Sequence, residues 1–218
     1  MAKVLIDGIE ATVSDTDQYF QINEISGSDL TWIWEQIKTD YASYEKWFCY
    51  HNVAEIPFAL LDEIGAVLED DSIIMRLSYD NFIFSEVSGV VRITEKVFDD
   101  FAAYHNKCNP DMVTSEQIKR NLSEWGIFVL LSGKQITAYT LIFTRYLEEA
   151  EIFCVEAPDI VSSKALVTTA VKYAFDNGNK KILFMADENT DAHKTALSIG
   201  FASEGFYKGY RIKRSKRF

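Results

Sequence analysis

The sequence predicts an α/β fold, an α+β mixed sheet with helices on both faces. In the second half of the chain, strand-like and helix-like segments alternate, as expected when helices connect parallel strands. That alternation follows two strand-like runs joined at Ser132-Gly133-Lys134, a hairpin signal that adds antiparallel strands to the sheet. The 218 residues, 48% of them apolar, suffice for one sizeable core or two small domains.

The N-terminal elements are predicted from turn residues and apolar spacing. Asp7-Gly8 separates two short β-prone runs and indicates a hairpin. Apolar residues at helical spacing from Leu30 predict a helix with its cap at Ser28 or Asp29. A second helix is predicted to begin at Pro57 and to extend to Leu68, followed by strands over 72–79 and 82–87. We expect residues 1–86 to form an N-terminal α/β region.

The remaining elements follow a regular order. A strand over 90–93 leads into a helix over 95–105, and the spacing Thr114-x-x-Gln117 predicts a capping box that opens the next helix. After the hairpin come a strand, a helix that ends before Gly178, a buried strand, a last helix and a last strand. The predicted order from residue 87 is therefore β-α-α-β-β-β-α-β-α-β.

Charge and cysteine usage narrow the classes of function. Residues 208–218 hold six of the 22 basic residues and no acid, so the rest of the chain carries 16 basic and 33 acidic residues, a net charge of −17. Such a body disfavours nucleic acid and favours cationic partners such as amines. The basic end is predicted to be a solvated strand and tail, with a phosphate or nucleic-acid contact as the weaker alternative.

No signal peptide, membrane span or metal motif is found in the sequence. The start lacks a basic region followed by an apolar run, and the apolar runs elsewhere are short. Cys49, Cys108 and Cys154 lack the spacing of a zinc site or a disulfide framework. We therefore expect a cytoplasmic protein without a metal.

The segment over 187–212 carries a recognisable frame. Asn189-x-x-Ala192 opens a helix and Gly200-Phe201 closes it, and the element order from about residue 87 to 212 fits the same frame. This pattern resembles the GNAT superfamily of acetyl-CoA-dependent N-acetyltransferases. The resemblance implies a GNAT-like acyltransferase fold, with an acetyltransferase domain over 87–218. Residues 1–86 would be an extra α/β domain or a decayed half of a tandem duplication.

The resemblance also implies a site for acetyl-CoA, or coenzyme A, as co-substrate. The pantetheine arm would pair with the backbone of Phe153, Cys154 and Val155, and Asn189 and Ala192 would contact the cofactor or substrate. The pyrophosphate would lie at the start of the next helix, where Ser162 and Ser163 can cap the helix and Lys164 adds a cation. The residues of that segment are Val161, Ser162, Ser163, Lys164 and Ala165.

The sequence departs from the GNAT family pattern at two places. Val161 and Ser163 occupy positions where the family usually has glycine, and Ala196 occupies the position of a tyrosine that often protonates the leaving thiolate. An active enzyme would then need water or another group as the acid. A non-catalytic acyl-CoA-binding or regulatory module is therefore the alternative to an N-acetyltransferase.

Candidate catalytic groups lie on the strand before the phosphate segment and on the last strand. Glu156 is the proposed base, and strand alternation is expected to place Glu151 on the opposite face. Tyr207 is the proposed acid, with Tyr139 as another candidate, whereas an acyl-cysteine route through Cys154 ranks low. The acceptor would be the primary amine of a small molecule or peptide. Aromatic residues of the N-terminal region would line its entrance or form a homodimer contact.

Overall fold

A computed structural model describes residues 2–16, 18–53, 55–109 and 113–213, which divide into two compact units. The first unit contains Met1–Ser72 and Gly205–Phe218, and the second contains Ile73–Glu204. The first unit thus includes most of the last strand of the chain, and the domain boundary after residue 86 stays a prediction. No helix among the described residues is long and apolar enough to cross a membrane.

The first stretch of the chain forms five strands and two helices. They are β1 (Ala2–Ile6), β2 (Ile9–Ser14), β3 (Tyr19–Ile22), α1 (Gly27–Asp40), β4 (Glu45–His51), α2 (Phe58–Glu63) and β5 (Val67–Ser78).

The second stretch repeats the predicted element order without exception. Its elements are β6 (Val90–Arg92), α3 (Phe98–Cys108), α4 (Ser115–Arg120), β7 (Trp125–Ser132), β8 (Gln135–Phe143), β9 (Glu149–Glu156), α5 (Ile160–Asp176), β10 (Lys181–Asp187), α6 (Asp191–Ser198) and β11 (Ala202–Ile212). The predicted capping box of α4 is confirmed, because Thr114 accepts from the Gln117 N–H and Gln117 accepts from the Thr114 N–H.

The sheet of the first unit starts as an antiparallel meander. Asp7 and Gly8 have φ values of 47° and 91°, the left-handed conformation that a tight hairpin between β1 and β2 requires. β2 pairs antiparallel with β3, α1 then crosses to β4, which runs parallel to β3, and β11 pairs antiparallel with β4. The core of this unit forms where α1 and α2 pack on the sheet, around Phe20, Leu30 and Phe48.

Three N-terminal predictions were wrong in detail. The N-cap of α1 is Ser26 rather than Ser28 or Asp29; Asp29 completes its capping box. α2 ends at Glu63, so Leu68 lies in β5, where Val67–Ser78 forms a twelve-residue strand. Residues 82–87 form no strand. Leu68 therefore belongs to the neighbouring strand although its spacing is helical, because tertiary packing overrides local pattern.

The sheet of the second unit has the strand order β5-β10-β9-β8-β7-β6. α5 and α6 pack with β10 around Ala170, Phe184 and Ala196, whereas α3 and α4 pack with β7 and β8 around Phe101 and Ile118. The two clusters show helices on both faces of a mixed sheet, which confirms the predicted fold class. The first cluster positions β9 and β10, the two strands that matter for the site.

Candidate functional site

β9 and β10 pair for four residues and then separate. The parallel ladder runs from Glu149 opposite Lys181 to Ile152 opposite Phe184. In these fully described strands, residues 153–156 and 185–187 have no partner in the ladder. The backbone groups of 153–156 that face this gap are therefore available to a ligand. An extended amide-bearing chain could pair with them as an added strand would.

A β-bulge shifts the side chains of β9. Leu141 lies opposite Cys154 and Ile142 opposite Ile152, so Phe153 is an extra residue in the ladder. Glu151 lies opposite Phe143, and Glu156 lies opposite Tyr139. Because Tyr139 and Phe143 are on one face of β8, Glu151 and Glu156 are also on one face. The prediction that they occupy opposite faces was wrong, because simple alternation takes no account of a bulge.

The carboxyl group of Glu151 on β9 has a raised pKa. Burial, with a smaller contribution from the charge of Glu149, raises the pKa of Glu151 to about 7. Glu149 is itself held by Arg76, whose Nε donates to its Oε1 over 2.7 Å, and Arg76 Nη1 also donates to Glu204 over 2.8 Å. A carboxyl group with a pKa near the working pH is suited to general-base catalysis. Glu156 lies exposed at the strand end.

An aromatic cluster borders this part of β9. The ring of Phe153 lies 5.0 Å from that of Trp125 and 6.2 Å from that of Phe143, and 37% of Phe153 remains exposed. Phe143 also contacts Tyr146, which is exposed. The cluster therefore presents an apolar, partly accessible surface beside Glu151.

Cys154 and Tyr139 belong to a buried polar network. The Tyr139 hydroxyl lies 2.7 Å from His105 Nδ1 and accepts from Asn109 Nδ2 over 2.7 Å. His105 Nε2 lies 2.7 Å from the carbonyl oxygen of Val113, which can only accept, so Nε2 carries the proton and Tyr139 donates to Nδ1. Burial raises the pKa of the Cys154 thiol to about 12 and raises the pKa of Tyr139 as well. Neither group is suited to nucleophilic or acid chemistry.

The start of α5 is capped by a carboxylate. Asp159 is the N-cap, and its Oδ1 accepts from the Ser162 N–H over 2.8 Å. The predicted cap at Ser162 or Ser163 was therefore wrong. Val161 is 76% exposed, whereas Ser163 is only 3% exposed. Lys164 and Ala165 are half-buried on the first turns of the helix.

The start of α6 also differs from the expectation. Thr190 is the N-cap and accepts from the His193 N–H, so the prediction that Asn189 opens the helix was wrong. Asn189 precedes the cap in the left-handed region, with φ of 65°, and its N–H donates to His193 Nδ1 over 3.1 Å. Ala192 is half-buried against the α5–α6 core, and Ala196 is fully buried within it.

Tyr207 lies in the first compact unit. Its hydroxyl donates to Cys49 Sγ over 3.2 Å, and its ring centre lies 4.9 Å from that of His51. Burial and the contact with Cys49 raise the pKa of the phenol. The structure thus groups Glu151, Phe153 and Cys154 on β9, and it groups Tyr207 with residues of its own unit. The role of Tyr207 as an acid stays a prediction.

The chain matches no family model and no curated protein sequence. Solved structures resemble it over nearly its whole length. A GCN5-related N-acetyltransferase from Kribbella flavida aligns with a TM-score of 0.70 and 11% identity, over 98% of this chain and 90% of that one. A functionally unknown conserved protein from Staphylococcus epidermidis ATCC 12228 aligns with a TM-score of 0.69 and 12% identity, over 98% and 94%.

A tandem GNAT protein from the clavulanic acid biosynthesis pathway is a third similar structure. It aligns with a TM-score of 0.59 and 8% identity, over 96% of this chain and 79% of that one. At such identities the likeness concerns the fold rather than the chemistry. The separated strands β9 and β10, the element order and these alignments agree: the chain has the fold of the GNAT N-acetyltransferases.

Proposed function

We propose that this protein is an N-acetyltransferase that moves an acetyl group from acetyl-CoA to a primary amine of a small molecule or peptide. The observation that carries the proposal is the gap between β9 and β10 with Glu151 on the strand that borders it. A ligand arm paired with residues 153–155 would bring its thioester to the same strand as a carboxyl group of suitable pKa.

The reaction follows from these groups. Glu151 takes a proton from the ammonium group, and the neutral amine attacks the thioester carbonyl while the Val155 N–H stabilises the oxyanion. The C–N bond forms and the C–S bond breaks as the intermediate loses its second proton to water. The thiolate leaves and accepts a proton from water. Glu151 replaces Glu156 as the proposed base, because Glu156 lies exposed at the end of the strand.

The acceptor is proposed to be cationic. Glu149, Glu151 and Glu156 share one face of β9, and the chain carries a formal net charge of −11. Both features attract an ammonium group and disfavour nucleic acid. Cys49, Cys108 and Cys154 are free, which fits the proposed cytoplasmic, reducing setting.

A thiol-release assay with acetyl-CoA and a panel of primary amines tests the proposal. We expect release that depends on both substrates and increases as the pH rises through about 7, when Glu151 loses its proton. Glu148→Gln is a matched control for Glu151→Gln, because Glu148 is an exposed carboxylate that pairs with Lys180. Absence of acetyl-CoA binding at millimolar concentration in calorimetry would overturn the proposal.

The fully buried Ala196 favours a second candidate, a non-catalytic acyl-CoA-binding or regulatory module. Ala196 packs in the core but cannot protonate a thiolate, so this position supplies no catalytic acid. Such a module would bind acetyl-CoA and release no thiol with any amine. Restoring the tyrosine is a poor test, because Ala196→Tyr adds a ring at a position with no exposed surface and overpacking costs about 1–3 kcal/mol.

A further inference from the structure

The N-terminus of α5 is already occupied by the side-chain carboxylate of its own N-cap residue, Asp159. Asp159 Oδ1 accepts from the Ser162 N–H over 2.8 Å, and bonds from the Ser162 and Val161 N–H groups lower the pKa of its carboxyl group. The carboxylate is therefore charged at neutral pH. It occupies N–H groups that would otherwise point at a phosphate.

The other groups of this segment offer little to a phosphate. The Ser163 side chain is buried, and its N–H donates to the Asp159 carbonyl oxygen over 3.0 Å within the helix. Val161 contributes an apolar side chain, which is mostly exposed. Over 156–165 the sequence has one cation, Lys164, against the two carboxylates Glu156 and Asp159. Within this segment the carboxylates therefore outnumber the cations.

The strand side of the site lacks these obstacles. Residues 153–156 of β9 leave their backbone unpaired on the side of β10, and these described residues have no competing ladder partner there. The pantetheine arm carries two amides, which can donate to and accept from such a strand edge. The two ends of a CoA molecule would therefore meet different surroundings, an open strand edge and a filled helix start.

We propose that the acyl donor is recognised through its pantetheine arm and thioester, and that its pyrophosphate contributes little to binding. The inference rests on the proposed function and narrows its donor class to pantetheine thioesters, with or without a nucleotide. Asp159 is the specificity-determining residue, because it fills the place of a phosphate with a charge of the same sign.

The test compares acetyl-CoA with acetyl-pantetheine, which lacks the pyrophosphate and the phosphoadenosine. We expect dissociation constants within tenfold of each other in calorimetry on the full chain. An acetyl-CoA affinity tenfold or more above that of acetyl-pantetheine would overturn the inference and leave the proposed function intact. Absence of binding by either compound would overturn the proposed function, and the inference with it.

Asp159→Asn sharpens the test, because asparagine retains the capping oxygen and removes the charge. We expect acetyl-CoA to bind about two- to fivefold more tightly to this variant, and acetyl-pantetheine to bind as before. Asp99→Asn is the matched control, since Asp99 is an exposed carboxylate in the first turn of α3 and should change neither affinity. An unchanged ratio of the two affinities in Asp159→Asn would overturn the role of Asp159.

Discussion

The two compact units follow the same path, yet only the second leaves a gap between strands. In each unit a three-stranded antiparallel meander leads into a helix, a strand parallel to the third strand, and another helix. Each parallel ladder has four pairs and ends with an isoleucine opposite a phenylalanine. The four residues are Ile22 and Phe48 in the first unit, and Ile152 and Phe184 in the second, and all are buried.

The difference begins directly after that last pair. In the first unit the N-cap of the helix, Ser26, is the fourth residue after Ile22, and the Ile25 N–H donates to the Cys49 carbonyl oxygen over 3.2 Å. In the second unit Asp159 is the seventh residue after Ile152, and the bulge at Phe153 lies in between. The connection beside the gap is thus three residues longer than the one without a gap. Since the two units share their path, the path alone does not determine whether a gap forms.

The shared path supports the hypothesis that residues 1–86 are a decayed half of a tandem duplication. By the registers of the two ladders, Gln21 occupies the position of Glu151. An amide cannot act as a base, so the first unit lacks the carboxylate at this position, and it also lacks the gap directly beyond the ladder. The hypothesis of a duplication stays a prediction.

The largest expected effect tests the Glu151–Gln21 difference. Glu151→Gln should lower kcat/KM by about 10²-fold or more at pH 8, because it removes the proposed base. It should also abolish the rise in rate through pH 7. The reverse change, Gln21→Glu, should leave kcat/KM within about twofold, because a backbone hydrogen bond from Ile25 to Cys49 closes the chain directly beyond the β3–β4 ladder. A thiol-release assay over pH 5.5–9 measures both variants. Half of wild-type activity in Glu151→Gln would contradict the role of Glu151 as the base.

The next effect concerns the phenylalanines that end the two ladders. Phe48→Ala and Phe184→Ala should each lower the free energy of unfolding by about 3–5 kcal/mol, because each removes a buried ring. Only Phe184→Ala should also weaken binding of acetyl-CoA, because Phe184 lies where β9 and β10 separate. Urea unfolding and calorimetry measure the two effects. Equal loss of acetyl-CoA affinity in both variants would contradict the assignment of the site to the second unit.

The pKa of Glu151 predicts a stability change with pH. Its usual value is near 4.5 and its folded value is about 7, so between these pH values the folded state binds a proton that the unfolded state has lost. Stability therefore falls as the pH rises through this window, by about 3 kcal/mol in total. Glu151→Gln should lack this contribution. Urea titrations at pH 4.5 and 8 measure the free energy of unfolding of the wild type and of Glu151→Gln. A difference between the two proteins that is the same at both pH values would disprove the prediction.

The smallest effect concerns the cap of the shorter connection. Ser26→Ala should lower the free energy of unfolding by about 1 kcal/mol, because it removes the side-chain half of the α1 capping box. Acetyl-CoA binding should not change. Ser28→Ala is the comparison variant and should cost less, since the Ser28 hydroxyl lies 3.2 Å from that of Ser26 and caps no N–H of α1. Equal losses in the two variants would count against the assigned cap.

The sequence predicted the second unit better than the first. Its helices and strands carry separate periodic patterns, turn residues and a capping box, so Thr114 and Gly178 marked element ends correctly. In the first unit one apolar run covers both α2 and the start of β5, and periodicity alone could not divide it. The sequence also does not show that the last strand belongs to the first unit.

The candidate site depends on features that the sequence does not carry. The resemblance to the GNAT superfamily implied a ligand beside residues 153–155, whereas the bulge at Phe153 has no marker in the sequence. Glu149-x-Glu151 was a visible signal for the acidic face, but the pKa of Glu151 depends on burial that only the fold creates. Arg76 lies far from Glu149 in sequence, so no pattern could pair them.

The pairing of β11 with β4 sets the order in which the two units can complete their folding during synthesis. β4 needs residues 207–212 as its antiparallel partner, and these leave the ribosome after all of residues 73–204. At about 5–20 residues per second, β4 waits roughly 8–30 seconds with one edge unpaired. An unpaired edge can join another chain. The unit that is translated first is therefore completed last, and a nascent chain stalled before residue 205 would be the form most prone to associate with its neighbours.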